Sequence, residues 1–501
     1  MKQFKSIFQT IAQHVVMVSA VCAMSTFASC SKFLDINDNP SFPIDAAPSA
    51  KLPSIIANGV QQYAFSVTVT GHYTQNIAAR AANNINDQFL ISPLANPFND
   101  TYFRAMSNIP SMIATAQAEG SPHYVGAGKI MMALFLGHLT DLYGNIPYSD
   151  AFKGGSNFTP EYDTQEQIYN TIFQLLDEGI VELRKPQGLR PLSERGADVF
   201  FAGDAARWRR LAFALRARHL NHLTKKSSYN PAQVLAAIDS AMTANTDDAF
   251  LQHNTAQVAQ TNFWGDARAN MNTRSFGRHY VNYLNGTTLG VRDPRFIIIA
   301  PDTARTRGIV NGSAENPVST LGSDFYGRWV GTALQTPVNW YARQDGILPI
   351  VMFWECEFIE AEAAFRSGNT ARAFAAYQNG IRAHMTRLGV AVADINTYLA
   401  SRACAQSAAT LTLKNIMEQK YIAMFIHPEQ WVDMRRMDYS TNIYPGLAQP
   451  VGVNTELQGQ WLRRLLPGST EQLYNINNAY SELGRVSNAQ WMTTPVWWDR
   501  P

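Results

Sequence analysis

Between residues 51 and about 250 the apolar positions recur three and four apart, the period of helices that each bury one face. Ile168, Ile172, Leu175, Leu176 and Leu183 share one such face, and Asp163, three residues before Glu166, predicts a capping box at its start. In the next helix Trp208, Leu211, Ala212, Leu215 and Leu223 form a stripe opposite Arg209, Arg210 and Arg216, with Asp204 as the expected cap. Asn230-Pro231 opens another. From 251 to 348 the period dissolves into Asn, Gly, Thr and aromatic residues, with short strand-like runs such as Phe296 to Ala300. So long an irregular stretch is either functional or disordered, and its aromatic content argues for order. Helical period resumes at Pro349. There Ala361, Ala373, Tyr377 and Gly380, with Gly368-Asn369 as the turn, take the spacing of a tetratricopeptide helix pair, whose small residues let two helices touch. The usual Trp and Leu of its first helix are absent. The pattern predicts a mainly α protein of paired helices with a long loop-rich insertion and few short strands.

The N-terminus follows a different logic. Lys2 and Lys5 precede an apolar run, Ile7 to Ala28, that Gln9, Thr10, Gln13 and His14 interrupt. The uninterrupted part is about 15 residues, short of the roughly 20 of a spanning helix, so it reads as a secretion signal. Ala28-Ser29-Cys30 resembles a lipobox, with Phe27 where an aliphatic residue is usual. The expectation is a signal over residues 1–29, acylation of Cys30, a proline-containing tether to residue 50 and a globular body over 51–501. Of four cysteines, Cys356 and Cys404 then remain. They build no disulfide framework, and Cys356 lies in an apolar helical stretch as a small core residue would.

Loss of residues 1–29 removes Lys2 and Lys5 from 41 basic residues and nothing from 39 acidic ones, so the mature chain is formally neutral. That balance argues against a nucleic-acid binder, which needs a clustered basic face. No zinc spacing, His-Glu-x-x-His, Gly-x-Ser-x-Gly or phosphate loop occurs, and no metal, cofactor or catalytic group is expected. Glu355, Glu357, Glu360 and Glu362 resemble a carboxylate pair for glycoside hydrolysis only superficially. Glu355 and Glu362 lie two turns apart on one helical face beside Arg366, and exposed or salt-bridged glutamates are the better reading. The positive signal is aromatic residues in loops beside amides and arginines, where sugars or apolar side chains stack. Trp264, Trp329, Asn339, Trp340, Tyr341 and Arg343 are candidate ligand contacts.

Five stretches together carry a family resemblance. They are Cys30 to Pro40, Asp141-Leu-Tyr-Gly-Asn-Ile-Pro-Tyr-Ser-Asp-Ala151, Trp208 to Arg218, Glu360-Ala-Glu-Ala363, and Glu418-Gln-Lys-Tyr-Ile-Ala-Met-Phe425 with Glu429-Gln-Trp-Val-Asp-Met-Arg-Arg436. In this order over about 400 residues the chain resembles the SusD/RagB-like outer-membrane nutrient-binding lipoproteins. The resemblance implies a helical fold with tetratricopeptide-like units, a lipid anchor in the outer membrane, a lid-like place over a SusC-type TonB-dependent barrel, and ligand contacts in the region of Arg80, Asn83 and Asn84, while Asp35 and Asp38 near the anchor point to the cell exterior. The implied ligand is an oligosaccharide or a peptide, captured without turnover. A helical-repeat scaffold that organises outer-membrane partners without binding nutrient is the alternative.

Overall fold

The computed structural model describes residues 46–81, 84–90, 95–303, 306–313, 325–330 and 333–501. The expected signal, Cys30, most of the tether and Asn83 lie outside them. Helix α1 (Pro48–Tyr73) begins with a proline at its first position, where no donor is lost, so the last three residues assigned to the tether are already helical. After α2 (Asn108–Glu119), Gly120 adopts a left-handed φ of 76° and closes the helix. Helix α3 (Pro122–Tyr143) is apolar on all sides. It is long and apolar enough to cross a membrane, yet 94% of its apolar window is buried in the body, which makes it the central core helix.

Helix α4 (Gln165–Glu182) does carry a capping box, formed one residue later than expected by Thr164 and Gln167. Asp163 is engaged elsewhere: its carboxylate accepts from the N–H groups of Tyr148 and Ser149 at 2.8 and 2.9 Å and fixes the turn after α3. Helices α3 and α4 touch backbone to backbone through Gly126 and Gly179. A Cβ on Gly126 would stand 2.9 Å from the Gly179 carbonyl oxygen, and one on Gly179 would stand 3.1 Å from that of Gly126. Asp204 caps α5 (Ala205–His222) through the N–H groups of Ala206 and Arg207, and Asn230 caps α6 (Pro231–Ile238), both as the sequence predicts.

Among the described residues the insertion holds three two-stranded pairings with the elements around it. Strand β1 (Ile77–Ala79) pairs antiparallel with β3 (Arg274–Phe276), β2 (Ala249–Gln252) with β6 (Ile347–Val351), and β4 (Trp329–Val330) with β5 (Ala333–Leu334). A short helix, α7 (Arg278–Leu284), follows β3. Two expectations are corrected here. Phe296 to Ala300 is not extended: Asp293 Oδ1 accepts the Arg295 N–H at 2.8 Å and starts a one-turn helix, Phe296–Ile299. Nor do helices resume at Pro349, because the apolar run Ile347 to Val351 is β6, with Leu348 opposite Leu251.

Helix α8 (Phe353–Arg366) starts where the Phe353 N–H meets Asp248 Oδ1 at 2.7 Å. With α9 (Thr370–Leu388) it makes the expected hairpin. Gly368 takes a φ of 82°, Asn369 caps α9 through the Arg372 N–H, and Gly380 lies against the Phe358 ring. Ala361, Ala373 and Tyr377 are fully buried between the two helices. Helices α10 (Val392–Leu399), α11 (Leu413–Ala423) and α12 (Glu429–Arg436) follow, ahead of a C-terminal stretch with short helices, and Cys356 and Cys404 are buried free thiols. Residues Ala47–Pro501 form one compact unit.

Candidate ligand-binding face and the buried ionic core

Four of the five sequence stretches converge in three dimensions, but inside the molecule. Arg218, at the end of α5, donates from Nε and NH2 to both oxygens of Glu355 on α8 at 2.6 Å, a bidentate pair with both side chains almost wholly buried. On α12, Glu429 accepts from His222 Nε2 at 2.8 Å. The other ring nitrogen, Nδ1, faces the Tyr169 oxygen at 2.9 Å, and the Tyr169 hydroxyl donates to Asp141 Oδ1 at 2.8 Å. Trp498 Nε1 donates to the same Asp141 oxygen at 2.8 Å. Burial by itself pulls the His222 imidazole down, yet the carboxylates of Glu429 and Asp141 on either side hold it up at about 9. His222 is therefore a buried imidazolium at neutral pH.

A second set adjoins it. Arg436 reaches both oxygens of Glu362 at 2.9 and 2.8 Å and Asp433 at 2.6 Å, while Lys420 closes on Asp433 at 2.8 Å. Burial would raise the Glu362 carboxyl, but the Arg436 and Arg366 guanidiniums hold it well below the carboxylate range. The four glutamates of α8 are thus not exposed catalytic groups. Glu355 and Glu362 are locked in the ion pairs above, Glu360 pairs with Arg372 at 2.6 Å, and Glu357 is buried. Arg435 ties the end of α12 to the Asp141 carbonyl oxygen at 2.7 Å.

Asp141, His219 and His222 offer ligand atoms within 4.8 Å of one another. Within this set His222 has both nitrogens engaged and carries the positive charge, His219 Nδ1 donates to the Leu215 carbonyl oxygen at 2.8 Å, and Asp141 Oδ1 accepts from Tyr169 and Trp498. The geometry is that of an ionic cluster whose cation is an imidazolium.

The residues expected to meet ligand divide into buried and accessible. Trp264, Asn339 and Tyr341 are core residues, a correction to their reading as contacts. Asn339 Nδ2 donates to the Phe325 carbonyl oxygen and its Oδ1 accepts the Tyr341 N–H, which shapes the loop. The Tyr341 hydroxyl meets His384 Nε2 at 3.0 Å, and Trp264 packs edge-on against Phe263. Loop aromatics are recognisable by type, but their burial is set by neighbours distant in sequence.

Arg80, Trp329 and Trp340 are half-buried, and Arg343 is exposed with its guanidinium on Asp345. Arg80 leaves β1 with NH1 on the Asn272 carbonyl oxygen at 3.0 Å. Asn272 Oδ1 accepts the Tyr326 hydroxyl at 2.9 Å, and the Tyr326 carbonyl oxygen accepts the Asn339 N–H at 2.8 Å. A chain of hydrogen bonds therefore links Arg80 to the segment that carries Trp329 and Trp340. Asn272 was missed at the sequence level, since a lone amide in an Asn-rich loop gives no signal.

The neighbouring loop is held from beneath. Asn84 Oδ1 accepts from the N–H groups of Asn86 and Asp87, building the turn rather than offering itself to a ligand. Asp87, 1% exposed, accepts from His72 Nδ1 at 2.5 Å, the Ala79 and Gly312 N–H groups at 3.0 Å, and Asn311 Nδ2 at 2.8 Å. Burial pushes this carboxyl up, but the His72 bond and the two backbone donors more than offset it and hold it below the usual range. One carboxylate thus joins α1, β1, the 84–90 loop and residues 311–312.

A helical body thus carries loops in which hydrogen bonds run from Arg80 through Asn272 and Tyr326 to the segment that bears the half-buried Trp329 and Trp340. The chain belongs to the SusD-like family described as starch-binding and associating with the outer membrane, whose model matches residues 44–464. Solved structures share the fold. A chitin-binding SusD homolog from Flavobacterium johnsoniae has 19% identity and a TM-score of 0.71, covering 90% of this chain and 98% of its own. A SusD/RagB family protein from Bacteroides thetaiotaomicron has 20% identity and a TM-score of 0.69 over 91% and 99%. A SusD homolog from Bacteroides fragilis has 18% identity and a TM-score of 0.67 over 91% and 100%. Comparison with curated proteins finds no match.

Proposed function

We propose that this protein is a surface lipoprotein of the outer membrane, acylated at Cys30, which captures an oligosaccharide and passes it to a SusC-like TonB-dependent barrel without cleaving it. The observation that carries the reading is the linked set of Arg80, Asn272, Trp329 and Trp340, half-buried or exposed on loops above a rigid helical body. Indole faces offer stacking surfaces for sugar rings, and the guanidinium and amide fix hydroxyls. The family description and the chitin-binding relative favour a glycan over a peptide. Capture without hydrolysis accords with Glu355 and Glu362, whose oxygens are committed to arginines and withdrawn from any substrate.

Glycan-array binding by the full-length protein tests this. The expected result is micromolar or weaker binding to a defined oligosaccharide with no new reducing ends, weakened at least about tenfold, or 1.4 kcal/mol, by Trp329→Ala or Trp340→Ala. Failure to bind any glycan, with binding to a peptide library instead, would replace the glycan reading. Absence of both, with no barrel co-purifying, would leave only the scaffold.

A further inference from the structure

A half-open recess of about 140 Å³ is lined among others by Gln75, Arg278, His279, Asn282, Ile309 and Gln449, with none of Arg80, Trp329, Trp340 or Arg343 among its described lining residues. Two of its amides are only partly used. Gln75 Nε2 donates to the Ala448 carbonyl oxygen at 2.5 Å and Gln449 Nε2 to that of Gly459 at 2.6 Å, which leaves each Oε1 as an acceptor. The Arg278 guanidinium donates to the Gly308 carbonyl oxygen at 3.3 Å.

The second, independent observation is His279. It is 6% exposed, and its Nε2 has no hydrogen-bond partner among the described residues. Burial lowers the ring to about 4, against a smaller pull from its bond to the Gly446 backbone, so the imidazole is neutral. With one ring nitrogen protonated toward that backbone, Nε2 is a bare buried acceptor. Such a group costs about 1–3 kcal/mol unless a donor reaches it.

We propose that this recess is a second binding site, which takes one neutral polyhydroxylated unit such as a single sugar ring. The chemistry selects that class. Acceptors at Gln75, Gln449 and His279 beside the amide donor at Asn282 match hydroxyls, which give and accept hydrogen bonds together. No carboxylate is among the described residues that line the recess, so an ammonium group finds no counter-ion among them. Ile309 supplies an apolar wall for ring C–H groups. The volume is below the roughly 300–1,000 Å³ of drug-sized sites, which limits the occupant to a single ring and excludes the longer chain that the outer face would hold.

The test is nuclear magnetic resonance of the full-length protein with ¹⁵N-labelled histidine, titrated separately with D-glucose, D-galactose, N-acetyl-D-glucosamine and inorganic phosphate. At least one sugar should shift the His279 ring nitrogens saturably. Ala448→Trp, which fills the recess from its rim, should weaken that response at least about tenfold, and Trp329→Ala should retain it. Should Ala448→Trp fail to fold, Asn282→Ala is held to the same loss. No His279 response to any of the three sugars would overturn the site, as would a response to phosphate alone, which would make it an anion site. A sugar response abolished by Trp329→Ala would assign the effect to the outer face and overturn it too. Because monosaccharide and recess variants read this site while oligosaccharides and tryptophan variants read the other, either proposal can fail without the other.

Discussion

His222 shows what a single side chain contributes and why the sequence conceals it. Its imidazolium sits between Glu429, 207 residues away, and Asp141, and the fold pays for its burial through those two carboxylates. The folded-state value of about 9 lies above the roughly 6.5 of an unfolded histidine. A raised value means that the stabilisation is complete below about pH 6.5 and is lost as pH rises through about 9. Its magnitude is at most about 3 kcal/mol, at 1.36 kcal/mol per pKa unit. Urea unfolding should show that loss between about pH 6 and pH 9.5 in the wild type, and a flatter profile in His222→Gln. Equal slopes in both proteins would show that His222 is neutral in the folded state. Arg218 teaches the same lesson: its partner Glu355 is 137 residues away, so the sequence showed a charged helix but not that its last arginine is wholly buried.

At the scale of elements, helices were the legible part because each one's period, caps and turn residues lie within a few positions. Asp204, Asn230 and the Gly368-Asn369 turn are all where the pattern places them. Strands were not, since β6 exists by virtue of β2, nearly a hundred residues earlier, and an apolar run alone cannot announce its partner. Asp163 failed as a cap for a related reason: the turn after α3 competes for its carboxylate. Close helix contacts lie between these cases. Gly126 was not singled out in the sequence, yet α3 and α4 meet there with no room for a side chain. Gly126→Leu should destabilise the protein by roughly 1–3 kcal/mol or more by forcing the helices apart. Gly120→Ala, at a position with open space but a left-handed φ, should cost about 1 kcal/mol through backbone strain alone. Denaturant midpoints at constant m-value would separate them, and equal losses would mean that the α3–α4 contact yields to an added side chain.

For the molecule as a whole, the two polar constellations divide the labour. The ionic core joins α3, α4, α5, α8 and α12 through groups that no ligand can reach, whereas Asp87 joins loops to that body through one carboxylate. The family-like stretches mark the first constellation. That is why they reveal the fold and say little about the ligand, and why the accessible face had to be sought among residues of ordinary type. The division has a measurable consequence. Asp87→Asn keeps the shape but replaces one acceptor oxygen with an amide donor, facing N–H groups that need acceptors. Amides of residues 76–80, 84–90 and 309–313 should then exchange with solvent at least about tenfold faster, a loss of 1.4 kcal/mol or more in local opening energy. Those in the middle of α3, α4 and α8 should keep their protection. Glycan affinity should fall with the loops although the melting temperature moves only a few degrees. Equal loss of protection in the central helices would mean that loops and body unfold as one cooperative unit, so that the face could not adapt to a ligand without loosening the scaffold that presents it.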